Sequence, residues 1–389
     1  MADDTIAISK VEYAAGKVLV HWVDGHESRF HPLWLRDNCH CEHCGNRAGG
    51  LKQNSLLDIA TNIQPISTEI TGSSLKIKWR PDGHVTRFEE SWLRAHCYAE
   101  SQRTARQHKP KLWDHRLKPL PKIAYEDFIG KEKSQFVLLK KVRDYGFSII
   151  KGVPPNEDAF LNTLALIGFV KETNYGKISH LVARAGPPKT LSDSKHGIPM
   201  HTDECYRHAN PGMLAFLCLS ASEAEEGATL LADGFAVATH LRDTDRKSFD
   251  FLTRIPMTSR RLHPNEVDLC TQSPVIAVDF EGRIQGVRYN ERSAAPLDLP
   301  EYLIESAYEA LRAWLRISRD KRFLVRYLLC PGDLLVFDNQ RVLHGRESFA
   351  GNRHLLYCQL DLDEPHSRVR ILAERLGLSN EDLLTHRGV

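Results

Sequence analysis

His201-Thr202-Asp203, together with His344 far downstream in Leu343-His344-Gly345-Arg346, are the residues of this 389-residue chain best equipped for chemistry. Two imidazoles and one carboxylate can cap one face of a ferrous ion and leave the remaining positions open. A bare His-x-Asp pair is a weak pattern, since polar residues two apart arise by chance, but its setting adds weight. Gly197 to Tyr206 reads as an extended stretch, in which positions 201 and 203 share a face by the two-residue strand period. His344 follows Pro331-Gly332-Asp333 through Asn339, a turn feeding a buried strand. Iron with open positions needs a chelating co-substrate to activate O2, and an oxo-acid with a distal carboxylate meets that need. The hydroxyl of Thr229 and the guanidinium of Arg353 are suited to holding that carboxylate.

A second cluster lies near the start of the chain. Cys39, Cys41 and Cys44 offer three soft thiolates in one knuckle, a set that favours zinc over harder cations. His40 and His43 sit within the knuckle, where ligating the same ion is awkward. The fourth ligand is therefore expected from His84 or Cys97, with His84 preferred. The plainer alternative is three free buried cysteines; a nucleic-acid zinc finger would want flanking basic and aromatic runs that the knuckle lacks.

The elements around these residues begin with an internal repeat. Val18 to Trp22 leads to Asp24-Gly25-His26, Ser28-Arg29-Phe30, Trp34-Leu35-Arg36 and Cys39. Leu75 to Trp79 leads to Asp82-Gly83-His84, Thr86-Arg87-Phe88, Trp92-Leu93-Arg94 and Cys97, with the same spacing from each Asp-Gly-His onward. Each copy reads as a hairpin turning on Asp-Gly and a short helix starting near Trp-Leu-Arg. A metal joining the copies would stabilise a domain of about a hundred residues that otherwise buries a modest core. These features define a small N-terminal zinc-binding α+β domain over residues 1–105. The basic, proline-rich stretch 106–122 reads as a linker, and 123–389 as the catalytic domain.

Within that domain, helical periodicity covers 132–145 and 157–169, with helical insertions near 235–252 and 301–317. Strands are expected at 147–150, 213–219, 228–231, 275–280, 284–289, 323–328, 334–337 and 353–362. This pattern predicts a mainly β fold with flanking helices, a double-sheet jelly roll. There is no glycine-rich phosphate loop. The 52 basic and 50 acidic residues nearly cancel, to a net +2, so charge gives no case for nucleic acid as a partner. No apolar run reaches bilayer length, and Met1-Ala2-Asp3-Asp4 lacks the regions of a signal peptide, so no membrane partner and a reducing cytoplasm are expected. The crowded or scattered placement of the nine cysteines agrees.

With the repeated Asp-Gly-His start, the cysteine knuckle, His201-Thr202-Asp203, Ala232-Asp233-Gly234-Phe235, Pro331-Gly332-Asp333, Asn339 to Arg346 and Arg353-His354-Leu355 in place, the chain resembles a known family along nearly its whole length. It is similar to the gamma-butyrobetaine hydroxylase and trimethyllysine hydroxylase branch of the taurine-dioxygenase-like Fe(II)/2-oxoglutarate oxygenases. The resemblance implies iron on His201, Asp203 and His344, 2-oxoglutarate gripped by Arg353 and Thr229, and zinc on Cys39, Cys41, Cys44 and His84. It also implies a double-stranded β-helix core, a homodimer, and succinate and CO2 as co-products. A carboxylate at Asp203 fills the position that halogenating relatives leave for halide, so hydroxylation is expected.

Substrate identity is where the chain departs from that pattern. Relatives hold trimethylammonium groups in an aromatic cage, whose ring faces attract a cation unable to donate hydrogen bonds. Tyr175 matches a cage tyrosine, but Ser179, Asp193 and Gln359 stand where butyrobetaine enzymes carry aromatics. Tyr206 could add a wall and Asp193 a compensating charge. Arg288, Asn290 and Arg292 fall on one strand face by period two and would hold an anionic end, either carboxylate or phosphonate. The expected substrate is a trimethylammonium zwitterion, 2-(trimethylammonio)ethylphosphonate or gamma-butyrobetaine, with trimethyllysine next. The rival from another class is a catalytically idle jelly roll joined to a zinc-knuckle interaction module.

Overall fold

The computed structural model describes residues 6–46, 51–182, 194–222 and 226–378. The chain divides into two compact units, Met1–Gln107 and His108–Val389. No helix of the described residues is long and apolar enough to cross a membrane.

In the first unit the repeat folds as two three-stranded antiparallel sheets, Ile8–Ala14, Lys17–Trp22 and Glu27–Phe30, then Gln64–Thr71, Ser74–Arg80 and Val85–Glu89. Alternation along the central strands turns Val18, Val20 and Trp22 inward in one copy, and Leu75, Ile77 and Trp79 in the other. These side chains form one core with Phe30, Leu35, Phe88 and Leu93. The short helices Pro32–Asp37 and Glu90–Ala95 follow the hairpins. Each sheet also carries a leading strand beyond the expected hairpin.

The second unit is built on two sheets. The larger runs in the order Ser179–Val182, His354–Leu360, Met213–Ser220, Asp333–Asp338, Phe147–Lys151 and Lys122–Ala124, antiparallel except for its last pair. The smaller runs Ile198–His201, Val342–Arg346, Thr229–Asp233 and Val325–Tyr327. The period of two divides the larger sheet between two cores. Leu214 and Phe216 pack with Leu231, Val325 and Val342 of the smaller sheet, while Met213, Ala215 and Leu217 pack under helices Glu132–Tyr145 and Asp363–Arg375. A third core joins Ala232 and Leu343 to helices Gly234–Thr244, Arg246–Arg254 and Glu301–Ser318.

The structure corrects several sequence expectations. The insertion near 235–252 is two helices, broken where Asp245 caps the second by accepting from Ser248 N. The hairpin Met257–His263 with Val267–Ser273 and the helix Asp363–Arg375 were not expected. The supposed linker from His108 onward is bound into the second unit. Lys111 N donates to Asp144 O, Trp113 N to Asp233 Oδ2 at 3.1 Å, Trp113 Nε1 to Tyr145 O at 2.6 Å, and Pro121 O accepts from Ile149 N. Its prolines lack N–H groups, but their carbonyls can still accept, and Trp113 is buried.

Candidate active site

The smaller sheet sets His201 beside His344. Their strands pair in register, His201 opposite His344 and Ile198 opposite Arg346. Gly345 permits the close approach, because a Cβ there would lie 2.6 Å from Ile198 O. The two imidazole rings are 4.2 Å apart, and Phe337 and Phe216 pack near His344, with ring centroids at 5.0 and 5.9 Å.

Asp203 reaches the same point by a different route from the one expected. The strand ends at His201, so Asp203 lies in the following turn and not on a continuing strand face. Asn339 positions it: Asp203 N donates to Asn339 Oδ1 at 2.8 Å, and Asn339 Nδ2 donates to Asp203 O at 3.1 Å and Pro211 O at 3.0 Å. The next residue, Glu204, is left-handed at φ 53, a conformation rare outside glycine and common at functional sites.

Asp203 Oδ1 lies 3.2 Å from His201 Nε2 and 3.7 Å from His344 Nε2. The three ligand atoms fall within 4.8 Å of one another. His201 Nδ1 is 2.8 Å from Pro199 O, so its proton sits there and Nε2 carries the lone pair. Burial, helped by His201, pushes His344 down to about 3, keeping it the neutral imidazole that ligation requires. Burial alone would raise the Asp203 carboxyl, but the imidazoles and the Tyr357 hydroxyl hold it below the ordinary carboxylate range. Two imidazole nitrogens and one carboxylate oxygen suit ferrous iron better than the all-oxygen-seeking cations.

These ligand atoms line a cavity of about 670 Å³, within the range of small-molecule sites. Thr229 and Arg353, both buried, line it too. Arg353 lies over the Phe349 ring at 5.8 Å, and burial lowers its guanidinium to about 10, still charged at neutral pH. Tyr175, Ser179 and Tyr206 are also in the wall, the two tyrosine hydroxyls 3.5 Å apart. Gln359 stands behind the wall, donating to Glu204 Oε1 at 2.8 Å and to the Tyr357 hydroxyl at 2.9 Å. Asp193 lies outside the described residues.

The expected anion-binding trio is not one strand face. The strand stops at Val287, and Asn290 caps the turn Glu291–Ser293 by accepting from Arg292 N at 3.1 Å. Asn290 and Arg292 line the cavity, but Arg288 does not. Its guanidinium donates to Cys205 O at 2.8 Å and to Arg207 O, clamping the turn after Asp203. Sequence reasoning missed Arg261, on the unforeseen Met257–His263 hairpin strand. It lines the cavity, its Nε is buried without a partner, and its charge opposes that of Arg292. The strand alternation of Ser259-Arg260-Arg261 was the available signal.

In the first unit, His84 Nε2 lies 3.1 Å from Cys39 Sγ and 3.6 Å from both Cys41 Sγ and Cys44 Sγ. His40 packs against the Trp92 ring at 4.4 Å, and Cys97 lies beside His26. The four-residue donor set fits zinc.

Residues 113–359 match the Taurine catabolism dioxygenase TauD, TfdA family, and residues 10–80 the Gamma-butyrobetaine hydroxylase-like, N-terminal family. The chain belongs to the TauD/TfdA dioxygenase family. Among TauD/TfdA relatives, it is 32% identical over 372 residues to gamma-butyrobetaine dioxygenase of Pseudomonas sp. (strain AK-1), covering 94% of this chain and 95% of that one. It is 28% identical over 388 residues to trimethyllysine dioxygenase of Meyerozyma guilliermondii, covering 94% and 96%. A crystal structure of AAD-2 in complex with Mn(II) and N-oxalylglycine shares the fold at a TM-score of 0.52 and 10% identity, over 64% of this chain and 97% of that one. As a TauD/TfdA protein this chain is a 2-oxoglutarate-dependent dioxygenase with ferrous iron as its metal.

Proposed function

We propose that the protein hydroxylates a small trimethylammonium zwitterion of the gamma-butyrobetaine type, in a double-stranded β-helix domain. His201, Asp203 and His344 would hold iron, and Arg353 with Thr229 would hold 2-oxoglutarate. The observation that carries this reading is the convergence of the three ligand candidates in a cavity whose walls also hold Tyr175, Tyr206, Arg261 and Arg292. The relatives named for gamma-butyrobetaine and trimethyllysine point the same way.

When bound, ferrous iron would use 2-oxoglutarate to activate O2, one oxygen atom going to the substrate as C–OH and the other to succinate, with release of CO2. The chain's own part is positioning. Tyr357 donates to Asp203 Oδ2 and leaves Oδ1 facing the imidazoles. Arg353 presents a planar fork to a carboxylate in a buried setting where the pair is strong. Phe216 and Leu355 supply apolar wall beside the ligands, which limits water there. Tyr175 and Tyr206 offer ring faces to a quaternary ammonium group. Cys39, Cys41, Cys44 and His84 would hold a structural zinc.

A phosphonate end in place of the carboxylate is the second reading. It is favoured by one observation: Arg261 Nε is buried without a hydrogen-bond partner, beside Arg292, which it repels and which Asp203 attracts. Succinate release coupled to gamma-butyrobetaine, 2-(trimethylammonio)ethylphosphonate and trimethyllysine separates the candidates. Fastest coupled turnover with gamma-butyrobetaine is expected. Preference for the phosphonate would transfer the reading to it, and failure of every trimethylammonium compound to couple would overturn both.

A further inference from the structure

The two copies of the repeat reach into each other reciprocally. His84 of the second copy meets Cys39 of the first at 3.1 Å, and His26 of the first meets Cys97 of the second at 3.4 Å. Arg36 donates to Asp82 at 2.9 Å, and Arg94 donates to Asp24 at 2.7 Å. Each aspartate in turn accepts from the backbone N of its own histidine, at 3.0 Å in both copies. Trp34 and Trp92, equivalent in the repeat, stack on each other with ring centroids 5.6 Å apart. The backbone beyond each cysteine makes the same turn: Gly45 N donates to Cys41 O at 3.2 Å, and Arg103 N donates to Ala99 O at 2.9 Å.

The unit therefore contains two equivalent clefts, related by exchange of the copies. They differ at two ligand positions, where Ala99 and Gln102 stand in place of Cys41 and Cys44. The loss leaves a trace. Arg36 Nη1 donates to Cys44 Sγ at 3.4 Å, whereas the equivalent Arg94 Nη1 is buried with no hydrogen-bond partner. Arg106 Nη1, on the helix Glu100–Arg106 that follows Cys97, is likewise buried and unpartnered.

We propose that His26 and Cys97 form a second metal site, reduced to two ligands and selective for a soft, low-coordinate cation of the Cu(I) or Ag(I) class. One thiolate and one imidazole are too few for the tetrahedron of zinc, but soft monovalent ions accept such a pair. Cys97 is 1% exposed, so the site admits a small ion and excludes larger thiol-reactive molecules.

The test uses zinc-loaded, full-length protein, with the exposed Cys270 and Cys330 replaced by serine to remove competing thiols. Anaerobic titration with Ag(I), followed by calorimetry and native mass spectrometry, is expected to show one silver equivalent beyond the zinc. Cys97→Ser should abolish it, and His26→Gln should weaken it by more than about tenfold, with zinc content and dioxygenase activity unchanged. Silver bound equally well without Cys97, or with unchanged affinity without His26, overturns the proposal. A second arm restores the missing ligands: Ala99→Cys with Gln102→Cys should add one zinc equivalent, and adding His26→Gln should remove it. No added zinc in a folded double variant would show that the clefts are not equivalent and sink the idea. The proposal builds on the zinc reading of the Cys39 cluster. Zinc-free wild type would count against that reading alone, because the silver arm reads Cys97 directly.

Discussion

The Tyr357 hydroxyl donates a 3.1 Å hydrogen bond to Asp203 Oδ2, on the oxygen turned away from the two imidazoles. Tyr357 is fixed in turn by Gln359 Nε2, which also holds Glu204. Partners of this kind orient a ligating carboxylate, and their removal typically costs about 10–100-fold in metal affinity. Tyr357→Phe keeps the ring and deletes only the donor. It should weaken ferrous iron binding within that range while leaving the melting temperature near wild type. Unchanged iron affinity in a titration under anaerobic conditions would show that Asp203 does not need this bond.

Gly345 tests whether strand register sets the ligand geometry. A methyl group there meets Ile198 O at 2.6 Å and Met200 Sδ at 3.0 Å, so the strands must separate. Overpacking of this sort costs about 1–3 kcal/mol. Gly345→Ala should therefore lose iron-dependent turnover by more than its modest loss of stability explains, since it moves His201 relative to His344. Full activity at saturating iron would contradict the register argument.

How far the sequence foretold the site follows from the kind of residue involved. The convergence of His201, Asp203 and His344 was legible from their types and their setting beside buried strands, and the cysteine knuckle because its spacing is rare and sits in a repeat. The supports were not. Tyr357, Asn339 and Gln359 are ordinary polar residues until the fold brings them under Asp203. Arg288 was misplaced because the strand period was extended past Val287, where Asn290 turns the chain. Both strands of the Met257–Ser273 hairpin are largely half-buried or exposed, so no apolar stripe announced them, and Arg261 was lost with them. Main strands such as Met213–Ser220 and Asp333–Asp338 were plain because nearly every residue in them is buried.

Asp233 and Arg341 form an ion pair at 2.9 Å with both side chains fully buried. Asp233 also accepts from Phe235 N and Trp113 N, while Arg341 donates to the carbonyls of Lys111 and Asp144. Removing one member leaves the other charge buried without compensation, which costs about 3–5 kcal/mol. Asp233→Ala should lower stability by that amount in denaturant unfolding. A much smaller loss would mean that water or rearrangement satisfies Arg341.

Arg261 lies in the cavity wall where spacing alone had put Arg288, which lies outside it. Arg261 lines the cavity with an unpartnered Nε, whereas Arg288 is occupied by the carbonyls of Cys205, Arg207 and His208. A charged hydrogen bond to a substrate anion contributes about 1.5–3 kcal/mol, so Arg261→Ala should raise KM for the zwitterion by roughly 10–100-fold. Its effect on iron affinity and on the KM for 2-oxoglutarate should be small. Arg288→Ala should behave oppositely in kind, lowering the melting temperature and disturbing iron binding through the loosened turn after Asp203. Steady-state kinetics and thermal unfolding on the two variants read both outcomes at once. If Arg288→Ala raised only the substrate KM and Arg261→Ala did nothing, the cavity's anion-binding group would be the strand residue after all, and the assignment of Arg261 would fall.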